Sequence, residues 1–267
     1  MESKKILMLS MSCNQPYFKS LLSVVKDTWA KPLMQNKYPN IIWFAYTSCD
    51  KHHPEPVIDY ENHMIYVKCE DDLQHTYEKT KLAYQMIVNS GIDFDYVVRT
   101  NTSVFVNLKK MIERIDTLPK NKVICKLSQN ISPNYYIFLL IGYFFGMDRS
   151  LFDTTMHVNN DYIKNNCIAK YDDVVISTVL FEKFNIFDIY ETINKNSTIV
   201  PIYKPHLIED VYNKKLIEIP KEDIVFDPSW VNKSVVCRVR SFYDNEDRIK
   251  YGHELEHFYE LYDALEI

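Results

Sequence analysis

Three polar segments of the sequence carry side chains that could bind a charged ligand. They are Ser10–Asn14, Glu70–Asp72 and Arg99–Ser103, and each follows an apolar run typical of a buried strand. In open α/β sheets, ligands bind beyond the carboxyl ends of the strands. Polar residues end most buried strands, so one segment alone would say little. Their occurrence at three strands favours a binding site at that edge of the sheet.

A second pattern of reactive residues lies near the end of the chain. The sequence GHELEH contains His253 and His257, one helical turn apart, with Glu254 between them. This spacing fits the H-E-x-x-H signature of zinc hydrolases. The spacing of Phe258 and Leu261, which follow this motif, is also typical of an ordinary amphipathic helix. We favour the ordinary helix and keep a zinc hydrolase as the minor alternative.

The composition excludes several classes of protein. The chain has 267 residues and only 4 glycines, so the glycine-rich phosphate loops of P-loop and dinucleotide-binding proteins are excluded. The net charge of −5 argues against a uniformly basic nucleic-acid binder. Six dispersed cysteines form no CxxC pair, which is typical of reduced thiols in a cytoplasmic protein.

The chain shows no pattern of a membrane anchor. The start, MESKKILMLSMSC, becomes polar too soon for a signal peptide, and the apolar run Tyr135–Met147 is about half a membrane span. We therefore expect no membrane partner and a cytoplasmic location. An abundance of Asn, Lys, Ile and Tyr is typical of AT-rich genomes, such as those of a phage, a large virus or a low-GC bacterium. If the protein is viral, the expected location is the host cytoplasm.

Alternating strands and helices must position these segments. The pattern predicts an α/β fold, a single domain with a mixed, mostly parallel central sheet flanked by helices. Predicted strands are Lys4–Ser12, Ile41–Ser48, a run from Met64, Asp95–Val98, Lys122–Leu127, Tyr135–Met147, Thr198–Tyr203 and Ser234–Arg240. Predicted helices are Gln15 to Pro32, Leu73–Asn89 closed by Gly91, Leu108–Leu118, Ser150–Ile163, Asp172–Phe184 and about Asn245–Leu265.

Five stretches, in order, resemble the β1,3-galactosyltransferase and fringe-like glycosyltransferases. They are VVKDTWAK (Val24–Lys31), DDLQHTYEKT (Asp71–Thr80), DYVVRTNTSVFVNL (Asp95–Leu108), GYFFGMDRSLF (Gly142–Phe152) and YDDVVISTVL (Tyr171–Leu180). The resemblance implies a GT-A (Rossmann-like) domain over residues 1–267. Residues 1–110 would form the nucleotide-binding half, and residues 111–267 the acceptor-binding half with the C-terminal helix. It also implies inverting transfer from a nucleotide sugar, by analogy a uridine diphosphate sugar.

The resemblance assigns a general base to the acidic pair. Asp173 stands at the aspartate of the family's E-D-V motif, so we predict Asp173 as the base that takes the acceptor's proton, with Asp172 second. The alternative is structural, because an aspartate before VVISTVL is also a good helix N-cap.

The family's metal-binding aspartates are replaced in this chain. The loop carries Asn101, Thr102 and Ser103, a poor ligand set for a hard cation, so we assign no metal ligand and disfavour Mn²⁺ or Mg²⁺. Either cationic side chains neutralise the diphosphate, or only sugar-nucleotide binding survives without catalysis. The candidate cations are Lys26, Lys79, Arg99, Arg238 and Arg240, although the last two also fit a solvated strand face.

The remaining predicted contacts divide between two parts of the donor. Ser10, Ser12, Cys13, Glu70 and Asp71 are expected near the nucleoside. Arg99, Thr100, Asn101, Thr102 and Ser103 are expected under the diphosphate and sugar.

The acceptor stays open between two classes. One is a glycan or polysaccharide. The other is a hydroxymethylated pyrimidine in phage DNA, which would require a local cationic groove and a flipped base.

Overall fold

The computed structural model describes residues 3–132, 135–184, 190–192, 209–210, 215–216, 232, 235–238 and 254–265. Within these ranges, only the backbone is described for residues 126–139, 141, 190–192, 209–210, 215–216, 236–238, 254–255 and 257.

Strands and helices alternate through the first half of the chain. In order these elements are β1 (Ile6–Met11), α1 (Pro16–Asp27), α2 (Lys31–Met34), β2 (Ile41–Ser48), β3 (Val57–Asp59), β4 (Met64–Val67), a 3-10 turn (Leu73–His75), α3 (Thr76–Asn89), β5 (Tyr96–Asn101), β6 (Val104–Val106) and α4 (Leu108–Asp116).

The second half adds long strands and further helices. These are β7 (Val123–Ser132), β8 (Tyr135–Asp148), α5 (Arg149–Met156), α6 (Asn160–Asn166), α7 (Asp172–Lys183), β9 (Tyr190–Thr192), β10 (Glu209–Asp210), β11 (Lys215–Leu216), β12 (Val236–Arg238) and α8 (Glu254–Asp263).

Eight strands form one central sheet, in the order β3-β4-β2-β1-β5-β8-β7-β9. The pairings β4–β2, β2–β1, β1–β5 and β7–β9 are parallel, whereas β3–β4, β5–β8 and β8–β7 are antiparallel. The predicted α/β class with a mixed, mostly parallel sheet and flanking helices is confirmed. Strands from both halves of the chain share this sheet, while the division at residue 110 stays a prediction.

Side-chain alternation along β1 divides the apolar core between the two faces of the sheet. Leu7 and Leu9 pack with α3 and α7, whereas Ile6 and Met8 pack with α1 and α4. Because four neighbouring strands are parallel, the carboxyl ends of β1, β2, β4 and β5 meet at one edge. The loops that follow these strands must therefore lie close together.

Helix α1 is shorter than the sequence predicts. It ends at Asp27, where Thr28 Oγ1 donates to the Val24 carbonyl at 2.6 Å. Pro32 does not end this helix but lies in the first turn of α2. Proline suits a first turn because its missing N–H would have no partner there.

The strand around the Arg99 segment also differs from the prediction. β5 continues through Asn101, so the break is confined to Thr102 and Ser103 before β6 begins. The short edge strand β3 lies between the predicted strand Ile41–Ser48 and the run from Met64, in a segment where no strand was predicted.

Some predicted elements fall outside the described residues. Thr198–Tyr203 lies there entirely, as do residues 245–253 of the predicted last helix. Within the described part of the chain, no helix is both long and apolar enough to cross a membrane.

Candidate active site

A cleft of about 570 Å³ opens at the carboxyl edge of the parallel strands. Its walls come from the end of β1, the first turn of α1, the segment before α3, the end of β5, the middle of β8 and the first turn of α7. The lining residues are Met11, Ser12, Cys13, Gln15, Tyr17, Phe18, Asp71, Asp72, Leu73, Thr76, Lys79, Arg99, Asn101, Ser103, Gly142, Tyr143, Tyr171, Asp172 and Asp173.

A buried ion pair lies at the base of the cleft. Arg99 Nη2 is 2.6 Å from Asp172 Oδ2, and the two side chains are 1% and 5% exposed. Arg99 Nη1 also donates to the Gly142 carbonyl. The guanidinium thus joins β5, β8 and α7, and its charge is already neutralised by Asp172. Arg99 also lines the cleft, and its contact with a diphosphate stays a prediction.

Polar groups of α3 and β2 complete the surroundings of Asp172. Its backbone N–H donates to Thr76 Oγ1 at 3.2 Å, and Thr80 Oγ1 lies 3.4 Å from Asp172 Oδ2. Tyr46 Oη lies 2.8 Å from Thr80 Oγ1. The carboxylate therefore sits in a buried network of hydroxyl groups and a guanidinium, which holds the start of α7 against α3.

Burial dominates the titration of this network. It raises the pKa of Asp172, although Arg99 opposes the rise. Burial also raises the pKa of Tyr46, to about 12, so this hydroxyl stays protonated. The pKa of Arg99 lies above its ordinary value, because burial disfavours its charge but Asp172 and Tyr46 favour it. Asp172 is consequently a structural partner of Arg99 rather than an accessible base.

Asp173, by contrast, is partly exposed in the cleft. Its Oδ1 accepts from the Val174 N–H at 2.9 Å, and no described cation forms an ion pair with it. Its side chain packs directly on the backbone of Gly142: a Cβ atom there would lie 2.5 Å from Asp173 Oδ2 and 2.9 Å from Asp173 Cβ. Position 142 therefore has to be glycine if Asp173 is to keep this place.

A second ion pair borders the opposite side of the cleft. Lys79 Nζ contacts Asp71 Oδ1, and the side chains are 2% and 19% exposed. Asp71 Oδ2 accepts from the Asn14 N–H, and Lys79 Nζ lies 3.4 Å from the Ser12 carbonyl. This pair fixes the loop after β1 to α3. Lys79, predicted as a diphosphate ligand, is therefore also engaged by a carboxylate.

The end of β5 presents only some of its predicted residues to the cleft. Asn101 and Ser103 line it, and Ser103 Oγ donates to Asn101 Oδ1 at 2.8 Å. Thr100 instead donates its hydroxyl to the Tyr143 carbonyl at 3.0 Å, and Thr102 is 1% exposed. Neither threonine is among the lining residues, and their assignment to the diphosphate stays a prediction.

The structure brings Ser12, Cys13, Asp71 and Asp173 to the cleft but leaves other predicted contacts outside it. Ser10 is buried on the other face of β1, where its Oγ accepts from Trp43 Nε1 at 2.8 Å. Lys26 lies at the far end of α1 and donates to the Asn62 carbonyl at 2.8 Å. Glu70 is exposed on the rim. Burial raises the pKa of the Cys13 thiol, so this group is not an activated nucleophile.

Two further predictions depend on residues whose side chains are not described. Arg238 pairs with Val104 through the backbone of β12, and Arg240 lies outside the described residues. His253 also lies outside them, while Glu254 and His257 belong to α8. The predicted helix is thus confirmed from Glu254 to Asp263, and the zinc alternative stays untested.

The charges of the described lining residues do not favour a bare phosphate at the base of the cleft. Four carboxylates (Asp71, Asp72, Asp172 and Asp173) face two cations, Lys79 and Arg99. Nor do these residues form a ready metal site. Among the described side chains, the group of three close enough to share an ion is Glu70, Asp72 and His75, on the rim.

Several residues of the site were missed from the sequence. Thr76 and Thr80 lie one turn apart on α3, and this spacing could have indicated a polar face against α7. Gly142 could have been noticed because the chain has so few glycines. No pattern in the sequence indicates the contact between the Tyr171 hydroxyl and the Gln74 side-chain amide, which are 3.4 Å apart.

Comparisons with known proteins leave the family open. No family model matches the sequence, and no curated protein sequence matches it. Among solved structures, the chain is similar to the crystal structure of the galactosyltransferase LgtC in complex with donor and acceptor sugar analogs. The two chains are 12% identical, the match covers 98% of this chain and 96% of that one, and the TM-score is 0.45. We draw no functional conclusion from a likeness of this degree.

Proposed function

We propose that the protein is a GT-A type glycosyltransferase that transfers a sugar, with inversion, from a nucleotide sugar to a hydroxyl of a glycan. The observation that carries the proposal is the contrast within the acidic pair. Asp172 is buried and paired with Arg99, whereas Asp173 is partly exposed in a cleft at the carboxyl edge of the sheet. The ordered sequence resemblance supports the same assignment.

A single accessible carboxylate suits a reaction in which the acceptor hydroxyl directly displaces the diphosphate from the sugar carbon. The acceptor hydroxyl must lose its proton as it attacks the sugar carbon, and a carboxylate within hydrogen-bond reach accelerates this step by about 10²–10⁴. Asp173 is held for such a role by Val174 N–H on one side and Gly142 on the other. A base that is already in position avoids the entropic cost of bringing a base to the acceptor hydroxyl.

A glycan acceptor fits the charge of the cleft better than DNA does. Carboxylates outnumber cations among the described lining residues, and the whole chain carries −5. Binding to duplex DNA relies on cations that neutralise phosphates. Sugar hydroxyls, however, hydrogen-bond readily to carboxylates and amides such as those of Asp173 and Asn101. The DNA acceptor is therefore the second candidate, and duplex binding at low salt would favour it.

The proposed function is tested first by ligand binding and then by turnover. Nucleotide sugars are screened for a rise in melting temperature, since a donor that binds only the folded state stabilises it. The selected donor is then incubated with the Asp173→Asn variant. We expect transfer to fall by about 10²-fold or more, with donor binding and folding retained.

The matched control is Asp161→Asn, which removes an exposed carboxylate of α6 outside the cleft and should leave transfer unchanged. Unchanged turnover in Asp173→Asn would refute the base assignment. A donor that binds the native protein without any transfer to glycan or DNA acceptors would indicate a binding protein and refute the enzyme.

A further inference from the structure

The two ends of the cleft differ in electrostatic character. At the α7 end, Asp173 lacks an ion pair with any described cation. At the α1 end, the nearby carboxylate of Asp71 is neutralised by Lys79. The first turn of α1 contains no acidic residue, and Gln15 at the N-cap makes no side-chain capping bond. An anion is therefore repelled least, among the described walls, beside the start of α1.

The first turn of α1 has the groups that an anion needs. Gln15, Tyr17 and Phe18 all line the cleft, so this end of the 12-residue helix faces it. Pro16 at the first helical position carries no N–H, so the donors at this end are the backbone N–H groups of the residues that follow it. The helix dipole makes this end partially positive. Phosphate groups are bound at such termini in many α/β proteins.

A second, independent feature marks the same place. Ser12 is 4% exposed, lines the cleft, and its Oγ has no hydrogen-bond partner among the described residues. Its backbone is fully engaged, because Ser12 N donates to the Tyr46 carbonyl at 2.9 Å and its carbonyl lies near Lys79 Nζ. A buried hydroxyl without a partner costs free energy, and a ligand oxygen would satisfy it.

We propose that the start of α1 and the Ser12 hydroxyl form an anion subsite that binds a phosphate group of the ligand. In the proposed function, on which this identification rests, the phosphate belongs to the donor's diphosphate. The subsite then takes over the role first assigned to Arg99 and Lys79, and it places phosphate rather than nucleoside at Ser12. The transferred sugar would extend from there toward Asp173.

The subsite is tested by calorimetric binding of inorganic pyrophosphate and uridine 5′-diphosphate to the full chain, with uridine as the uncharged probe. Gln15→Glu adds a carboxylate at the helix start, where it should stabilise the fold but repel the anion. We expect it to weaken pyrophosphate and diphosphate binding about tenfold and leave uridine unaffected. Ser12→Ala should weaken the same two anions about threefold to tenfold.

The matched control is Gln74→Glu, the same change at another exposed glutamine, near Tyr171 on the rim. It should change anion binding by less than about twofold. Equal weakening by Gln15→Glu and Gln74→Glu would overturn the subsite, as would pyrophosphate binding that neither Gln15→Glu nor Ser12→Ala alters. Melting temperatures of all variants verify folding.

Binding and transfer also separate this subsite from the proposed function. A chain that binds pyrophosphate in a Gln15-dependent way but consumes no nucleotide sugar keeps the subsite and refutes the transferase. A chain whose Gln15→Glu variant transfers sugar with unchanged KM keeps the transferase and refutes the subsite.

Discussion

The two ion pairs of the cleft differ in depth and in what they connect. Arg99 and Asp172 are 1% and 5% exposed and join β5 to α7. Lys79 and Asp71 are 2% and 19% exposed and join α3 to the loop after β1. In both pairs the cation is buried, but the carboxylate of the second pair is more exposed than that of the first. The first pair thus belongs to the core, whereas the second belongs to the wall of the cleft.

This difference shows how a cation near a ligand site can be structural. Removing a charge from water costs several kcal/mol, so a buried guanidinium needs a carboxylate close by. Asp172 supplies it, and the pair then holds Asp173 at the cleft surface through the first turn of α7. Two of the cations predicted to meet a diphosphate, Arg99 and Lys79, thus position the loops around the cleft.

The largest expected effect is on the free energy of unfolding, and it tests whether the more deeply buried ion pair contributes more stability. Arg99→Met leaves Asp172 buried without its partner, and we expect a loss of about 3–5 kcal/mol in the free energy of unfolding. Lys79→Met leaves Asp71 with solvent and the Asn14 N–H, so the loss should be about 1–2 kcal/mol. Urea denaturation measures both values.

An exposed pair provides the reference for this comparison. Lys5 and Asp93 lie 2.6 Å apart with side chains 58% and 70% exposed, so Lys5→Met should lower the free energy of unfolding less than either Arg99→Met or Lys79→Met. Equal losses in Arg99→Met and Lys79→Met would show that the two pairs do not differ in energetic depth.

Two glycines of β8 allow a sharper test of the Asp173 position. A Cβ at Gly142 would meet the Asp173 side chain, whereas a Cβ at Gly146 would lie 2.9 Å from the Tyr96 ring and 3.3 Å from the Val97 carbonyl. Gly142→Ala should therefore displace the carboxylate and lower kcat about tenfold or more, at a cost of less than about 1 kcal/mol. Gly146→Ala should instead destabilise by about 1–3 kcal/mol and leave kcat unchanged.

Transfer assays and urea denaturation of the two variants distinguish these effects. If Gly142→Ala retained the native kcat, the contact between Gly142 and Asp173 would have no part in positioning the base.

The strands were predictable because buried β-strands leave continuous apolar runs. Ile41–Ser48 was predicted with its observed bounds, and the carboxyl edge of the sheet followed from the parallel alternation. The faces of the strand ends were not predictable. Ser10 and Arg99 both lie near the carboxyl ends of buried strands, but Ser10 contacts Trp43 and Arg99 contacts Asp172.

The ion pairs could not be read from the sequence for a different reason. Asp71 and Lys79 are eight residues apart across a 3-10 turn, and Arg99 and Asp172 are far apart in the chain. Whether a cation remains available for a ligand depends on such contacts, which only the packed structure defines. The sequence therefore predicts which residues lie near the cleft. It does not predict which of their charges remain available to a ligand.

The smallest effect concerns two aspartates at the same edge of the sheet with opposite pKa shifts. Burial raises the pKa of Asp172, whereas N–H groups of His52 and His53 and the nearby Lys19 lower the pKa of Asp50 from 3.8 to about 2. The stability that Asp50 contributes is therefore fully present above pH 3.8 and lost as the pH falls through about 2. For Asp172 the sign is reversed, and stability falls as the pH rises through its raised pKa.

Asp50→Asn makes this contrast measurable. The variant keeps an oxygen acceptor for both N–H groups but loses the charge, and solvent screening of Lys19 limits the loss to about 1 kcal/mol at neutral pH. The difference in unfolding free energy between the native chain and Asp50→Asn should shrink as the pH is lowered from about 5 toward 2. A difference that stays constant or grows over this range would contradict the lowered pKa, and the charge of Asp50 would then contribute nothing specific to the folded state.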